Sequence, residues 1–466
     1  MERSLVLPTR QHMSPTTITG LFLGLLMFLW SAHASADDVA VGLGIPAEGH
    51  TWRIDAMFGA ERVTLQLPEQ VELVNRLSPE LANTIRRRVS YRVGNLDLMQ
   101  SYAAAAEELA KRAIPTQTPE YRRKLIETVI SLHPSDGELR DPLFRHMPLL
   151  DALPAYTRIH LFIPTYLRAQ VEESIKSKPY ANRIKLHNVD IWVKEEDSIR
   201  LVHSTTRWTQ DLFEVVTGAN GHDYILAPPA RYQINDLSRS DNSYLQALAT
   251  EKRKVVSIPI YFRGGNVLIG NDNNGKRVAL IGERELTNNR QDFYTGLFAF
   301  PNRTGVLALY KELLGVDHIE VIPNTRNLFH LDMAVSFLGD NVAALIEPLT
   351  VNPQNPNSVS ADDLEVIESL RAALKRNSFK IISIPTTADR MARFQSPVNI
   401  IPYTHRDRTR LEALIPQFPD VFLENGKSIN RLTEEAYLQA GVIPIWVEDR
   451  FHQVHGNLHC AMSVLR

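Results

Sequence analysis

The sequence predicts an α/β fold, and two observations carry that prediction. From Tyr156 onward, short apolar runs alternate with amphipathic helical stretches, the texture of strands layered against helices. The composition, 44% hydrophobic and 22% charged with both signs mixed, is that of a globular chain. At 466 residues there is room for one large domain with an extension, or for two domains. A formal net charge of −2 offers no basic field for nucleic acid.

Taken in order, the chain opens on a polar lead with Glu2, Arg3 and Arg10, followed by an apolar run from Ile18 to Trp30 and then Ser31-Ala32-His33-Ala34-Ser35-Ala36. This is the pattern of a secretory signal cleaved after Ala36. A membrane anchor is disfavoured, because spanning a bilayer takes about 20 apolar residues. The expected product is secreted or periplasmic, with no anchor after cleavage. Residues 37–150 read as a mainly helical N-terminal region. Ser78 and Pro79 sit as N-cap and first helical residue. Alanine-rich Leu98 to Ile114 and then Pro119 to His133 follow at helical spacing. A Pro-bearing stretch from Pro134 to Pro154 marks the boundary, so the expected divisions are 1–36, 37–150 and 151–466. No catalytic constellation stands out before residue 151.

Beyond the boundary, Arg158 to Ile163 reads as a strand, Tyr166 to Lys176 as a helix and Ile184 to Leu186 as a second strand. Val255 to Ile269 reads as a hairpin or strand pair around Gly264-Gly265. Further strands are expected at His318–Ile322, Phe379–Ile384 and Ile443–Val447. Between them, the Ser360-x-x-Asp363 opening and apolar period of Ser360 to Asn377 predict a capped helix. No fixed-period sequence repeat is visible.

The chemistry gathers in three segments. Cys460 is the single cysteine of the chain, so it acts as a thiol or thiolate and not in an internal disulfide. A free cysteine is either a small buried hydrophobe or a nucleophile activated by nearby charge. In an exported protein an exposed spare thiol is a liability, which leaves burial or chemistry. The segment Thr206 to Glu214 sets Asp211 near Trp208. In the third, Asn327 to Met333, His330 and Asp332 at i,i+2 on a strand would face one side. One Cys, one His and two Asp residues suit nucleophilic attack on a planar cation. The carboxylates would grip a guanidinium and the His would shuttle protons. Each segment also has a purely structural explanation, a turn-capping Asp or a core His. Two metal readings compete. His452, His455, His459 and Cys460 could form a zinc cluster, though Gly456 breaks the helical spacing. Asn271 to Gly275 suggests a calcium loop, but it lacks a closing Glu and reads better as a β-turn.

Taken together, Arg207-Trp208-Thr209-Gln210-Asp211, Phe329-His330-Leu331-Asp332-Met333 and His455-Gly456-Asn457-Leu458-His459-Cys460 resemble the peptidylarginine deiminase family. That family belongs to the guanidine-modifying (pentein) superfamily, with agmatine deiminase as a relative. The resemblance covers Ala155 to Arg466, and Phe262-Arg263-Gly264-Gly265-Asn266 also looks like the small-molecule enzymes. It implies a pentein-type α/β propeller with pseudo-fivefold αββαβ modules, and a hydrolase that converts arginine guanidinium groups to citrulline plus ammonia.

In the roles so implied, Asp211 and Asp332 hold the guanidinium and Cys460 attacks its central carbon to form a thiouronium intermediate. His330 protonates the departing ammonia and then activates water. Arg231 and Trp208 stand where the family positions substrate. Met333 replaces an acidic residue of the family and is expected on the opposite strand face. The substrate is an arginine-containing protein or peptide, or alternatively a small guanidine such as agmatine or free arginine. A catalytically silent binding protein of the same fold is the remaining alternative. No cofactor is called for; calcium dependence has no support without the family's N-terminal modules. Oligomeric state is not legible.

Overall fold

The computed structural model describes residues 3–5, 39–44, 51–58, 61–68 and 116–465, apart from 134, 137–138, 190, 195–198, 203–205, 229–241, 259, 292–302, 350–358 and 408. The apolar run 18–30, the Ala36 cleavage point, the helices expected near Ser78 and over 98–114, and Arg231 all lie outside the described residues. Among the described residues, no helix is long and apolar enough to cross a membrane.

The chain divides into two compact units, Met1–Gln100 with Asn289–Gly305, and Ser101–Asn288 with Val306–Arg466. The first unit contains a four-stranded sheet in the order Arg3–Leu5, Glu61–Pro68, Thr51–Phe58, Val39–Gly44.

The second unit repeats one supersecondary motif. Two antiparallel strands are followed by a connection that returns a third strand parallel to the second. The plainest copies run through Val267–Asn271, Arg277–Gly282 and His318–Ile322, through Val335–Gly339, Val342–Pro348 and Lys380–Thr386, and through Ile401–Thr404, Leu411–Gln417 and Ile443–Glu448. Parallel pairing needs a crossover, which helices Arg303–Leu314, Ala361–Arg376 and Ile429–Gln439 supply. A fourth copy joins Glu214–Thr217, Asp223–Ala227 and Arg253–Ser257 and adds Thr116–Gln117 at its edge. The fifth is split across the chain. Met462–Val464 pairs antiparallel with Glu127–Ser131, which continues parallel to Arg158–Pro164 and Ile184–Val189.

The helix Ala361–Arg376 shows how the sequence builds a crossover. Ser360 Oγ accepts from the Asp363 amide at 3.1 Å, capping the first turn. Val366, Ile367, Leu370, Ala373 and Leu374 then line the buried face at helical spacing and pack against the two parallel strands. Basic Lys375 and Arg376 end it, where they favour the helix dipole.

Three expectations are corrected. Where residues 37–150 are described they are largely strands, with a helix at Met147–Ala152. Pro119 to His133 forms a 3-10 turn, Glu120–Arg122, and then a strand. Thr128, Val129 and Ile130 are buried there between two neighbouring strands, a setting that β-branched residues fit better than a helix does. That strand is internal to the fifth sheet, so the larger unit begins well before residue 151. Val255 to Ile269 is not a hairpin, because Arg253–Ser257 and Val267–Asn271 belong to different sheets. The Asn271 to Gly275 turn does join two strands, and Asp272 Oδ1 accepts from the amides of Asn274 and Lys276 at 2.8 Å.

Candidate active site

Three short turns from distant parts of the chain meet at one point. The first, Thr209–Asp211, presents Asp211 just before the strand Glu214–Thr217. It is tied to the cysteine segment by two bonds: Thr209 Oγ1 donates to the Ala461 carbonyl at 3.1 Å, and Ser463 Oγ donates to the Thr209 carbonyl at 2.8 Å. The second, Leu331–Met333, follows an extended His330. His330 and Asp332 thus lie in a 3-10 turn and not on a strand, and the expected alternation of Met333 to an opposite strand face does not apply. Met333 is buried, with its sulfur 3.6 Å from the Asn399 amide nitrogen. The third is the helix Leu458–Ala461, which carries His459 and Cys460.

Buried amides hold these turns in place. Asn266 brackets His330: its Oδ1 accepts from the Leu331 amide at 3.1 Å while its Nδ2 donates to the Phe329 carbonyl at 3.2 Å. Asn266 Nδ2 also donates to Glu285 at 2.8 Å, which in turn accepts from Arg263 at 2.9 Å. Asn399 does the same for the cysteine turn. Its Oδ1 accepts from the His459 amide at 2.9 Å and its Nδ2 donates to Cys460 Sγ at 3.4 Å.

The result is a tight group of functional atoms. Cys460 Sγ lies 3.5 Å from Asp332 Oδ2, and His330 Nε2 lies 3.9 Å from Asp211 Oδ2. Donor atoms of His330, Asp332 and Cys460 all fall within 4.8 Å of one another. Cys460, His330 and Asp332 are buried, at 4%, 4% and 2% exposure, and Asp211 is partly open. Gly265 makes this closeness possible. A Cβ there would stand 2.6 Å from His330 Nδ1 and 2.9 Å from Asp332 Oδ2.

His459 meets the same Asp332 oxygen as Cys460 does. Its Nδ1 is 2.8 Å from Asp332 Oδ2, and its Nε2 is 2.8 Å from Glu120 Oε2. Glu120, Asp332 and His459 together line a cavity shared with Gln210 and Glu214. Burial alone would depress the His459 pKa, but the Glu120 and Asp332 carboxylates outweigh it and hold the ring well above its usual value. For Glu120, burial works toward a raised pKa and the His459 partner overcomes it, leaving the carboxyl low. Burial pushes the Cys460 thiol well up, and Asp332 and Asp211 push the same way against the pull of Asn457 and Asn399.

Of the residues singled out in the sequence, Cys460, His330, Asp332 and Asp211 come together here, and Trp208 lies against Gly456 of the cysteine segment. Arg207 donates to Ser135 at 2.7 Å and Asp136 at 3.1 Å. The zinc reading fails on geometry: His459 is committed to two carboxylates and His452 Nδ1 faces the Asp449 carbonyl at 2.9 Å. Sequence reasoning missed Glu120 and Asn399. Neither sits in a motif; each is an isolated polar residue whose neighbours reveal nothing about where it points. Asn266 and Gly265 were within reach, flagged by the Gly264-Gly265-Asn266 run.

No family model matches the sequence, and no curated protein matches it. Solved structures do match in fold. The agmatine deiminase of C. jejuni superposes with a TM-score of 0.53 at 16% identity, covering 75% of this chain and 96% of that one. A structure assigned as a peptidyl-arginine deiminase gives 0.54 at 15%, covering 76% and 98%. The agmatine deiminase of Enterococcus faecalis gives 0.53 at 11%, covering 76% and 96%. The chain therefore has the fold of these deiminase structures.

Proposed function

We propose that this protein is a guanidine deiminase, a hydrolase that converts a guanidinium to a ureido group with release of ammonia. The observation that carries the reading is the placement of one thiol, one imidazole and two carboxylates, drawn from three distant turns, around a single point. In this reading Asp211 and Asp332 bind the guanidinium through charge-assisted hydrogen bonds. Burial, with the two carboxylates acting the same way, holds the resting thiol protonated. A bound cation offsets their charge, so the Cys460 thiol ionises as substrate arrives and its proton passes to His330. Sulfur then bonds to the guanidinium carbon to give a tetrahedral adduct, His330 delivers that proton to one amino group, and the C–N bond breaks to release ammonia and leave a thiouronium intermediate. Water adds to the same carbon with His330 accepting its proton, the C–S bond breaks, and the ureido product departs. We also read the five sheets as the five blades of a propeller, and the protein as exported after cleavage behind Ala36.

The preferred substrate is an arginine side chain in a protein or peptide. This rests on the Arg207 to Asp211 and His455 to Cys460 segments. A second reading, a small guanidine such as agmatine, is favoured by fold matches that span nearly the whole length of two agmatine deiminases. The deciding experiment measures ammonia release by purified protein beside Cys460→Ala. It offers an end-blocked arginine peptide, free arginine and agmatine, each with and without calcium. Cysteine-dependent turnover of the blocked peptide is the expected result. Turnover confined to agmatine or free arginine moves the protein to the small-molecule branch, and silence on all three leaves a binding protein.

A further inference from the structure

A chain of three groups, two buried and the third, Glu120, part-buried, joins the reaction centre, and the chemistry proposed above uses only its first member. Asp332 Oδ2 meets His459 Nδ1 at 2.8 Å, and His459 Nε2 meets Glu120 Oε2 at 2.8 Å. His459 and Asp332 are 3% and 2% exposed. Ionised carboxylates only accept hydrogen bonds. A ring nitrogen facing a carboxylate oxygen at this distance therefore carries the hydrogen, and here both nitrogens do. The ring is an imidazolium between two carboxylates. Meanwhile Asp332 Oδ1 is buried with no hydrogen-bond partner.

We propose that Glu120 and His459 are positioning residues: the imidazolium clamped by Glu120 holds Asp332 Oδ2 and so keeps the carboxylate turned with Oδ1 as the atom offered to a guanidinium. The inference rests on the guanidine reading above and names what sustains it. Without the clamped ring only the long Cys460 contact would remain on Oδ2, and Asp332 could turn Oδ1 away from a cation. Glu120 reaches the ring from 339 residues away in sequence. The nearby Arg123 does not stand in for the ring as a cation, since its guanidinium donates to the carbonyls of Thr118, Val464 and Val215. The other ionisable groups near this chain are Cys460, His330 and Asp211 at the reaction centre and Glu214, which lines the same cavity.

Glu120→Gln tests this with least disturbance, since the amide keeps a hydrogen bond to the ring and removes the charge. With whichever guanidine the wild type turns over, the expected result is a fall in kcat/KM of about 10- to 100-fold, the usual scale for losing an outer partner of a functional group. The loss should appear mainly in KM, with the melting temperature close to wild type and partial rescue in Glu120→Asp. His459→Gln should lose more. A second readout needs no turnover: nitrogen-15 NMR of imidazole-labelled full-length protein near pH 7.5 should show one ring protonated on both nitrogens, absent in His459→Gln. Wild-type KM in Glu120→Gln beside an inactive Asp332→Asn would overturn the proposal, as would a neutral His459 ring. A wild type that releases no ammonia from any guanidine would sink the deiminase reading instead, with the imidazolium still tested by NMR.

Discussion

The indole of Trp208 lies so close over Gly456 that a Cβ there would sit 2.4 Å from ring carbon Cζ3 and 2.5 Å from Cη2. Trp208 begins the Asp211 turn and Gly456 begins the cysteine turn, so this contact sets the distance between them. Phe451 backs the indole, with ring centroids 6.5 Å apart. Gly456→Ala should cost about 1–3 kcal/mol, as overpacking generally does, and should lower turnover at least as severely. Thermal melting and ammonia release measured on one preparation check this. A variant with wild-type values of both would show that the indole has room to withdraw.

Gly265→Ala separates activity from stability more sharply. The added methyl would press on His330 and Asp332 together, and neither can retreat far, since Leu331 between them is held by Asn266. The expectation is turnover reduced at least 100-fold, because small displacements of reacting groups carry losses of about that size. Circular dichroism and a melting curve, read beside kcat, report the two effects separately.

The Cys460 thiol titrates high, and the sign of its pH dependence follows. Burial and the Asp332 and Asp211 carboxylates disfavour the thiolate. Alkylation by iodoacetamide in the absence of substrate should therefore be slow at neutral pH and still climbing well above the ordinary thiol value of about 8.5. Asp332→Asn removes a carboxylate and should shift the curve to lower pH. Because the folded thiol titrates above the unfolded one, its contribution to stability is intact below about pH 8.5 and declines as pH rises past it. Alkylation that levels off near the ordinary thiol value would contradict this assignment.

Ser360→Ala tests a feature far from the site. Loss of the cap over the Asp363 amide should cost about 1 kcal/mol, visible in a denaturant melt, with kcat unchanged.

How much of this was legible in the sequence differs by kind of feature. Ser360 to Asn377 and the strand at Arg158 were readable because cap chemistry and apolar period are local. The fivefold recurrence of the strand motif was not, since each copy repeats a topology and not a set of residues. Pro119 to His133 misled because Glu127–Ser131 is an internal strand buried on both faces, Thr128 and Ser131 included, and such a run lacks the period-two alternation that marks a strand with one wet face. His330 and Asp332 were singled out as a pair facing one side while their backbone was misjudged; the proximity came from a tight turn held by Asn266. Glu120 and Asn399 reach the centre by folding alone, 339 and 60 positions from His459.

The pairing of Met462–Val464 with Glu127–Ser131 also bears on how the protein assembles. Thr128 and Ser463, bonded at 2.8 Å, are 335 residues apart, so this junction has about the longest loop to close and is intrinsically slow to form. Cys460 sits two residues before it. A chain with its other four sheets in place but this seam open would look nearly native by secondary structure, yet it would have no nucleophile in position. Recovery of activity during refolding should therefore lag behind recovery of the circular dichroism signal, which makes the thiol a late reporter of this junction.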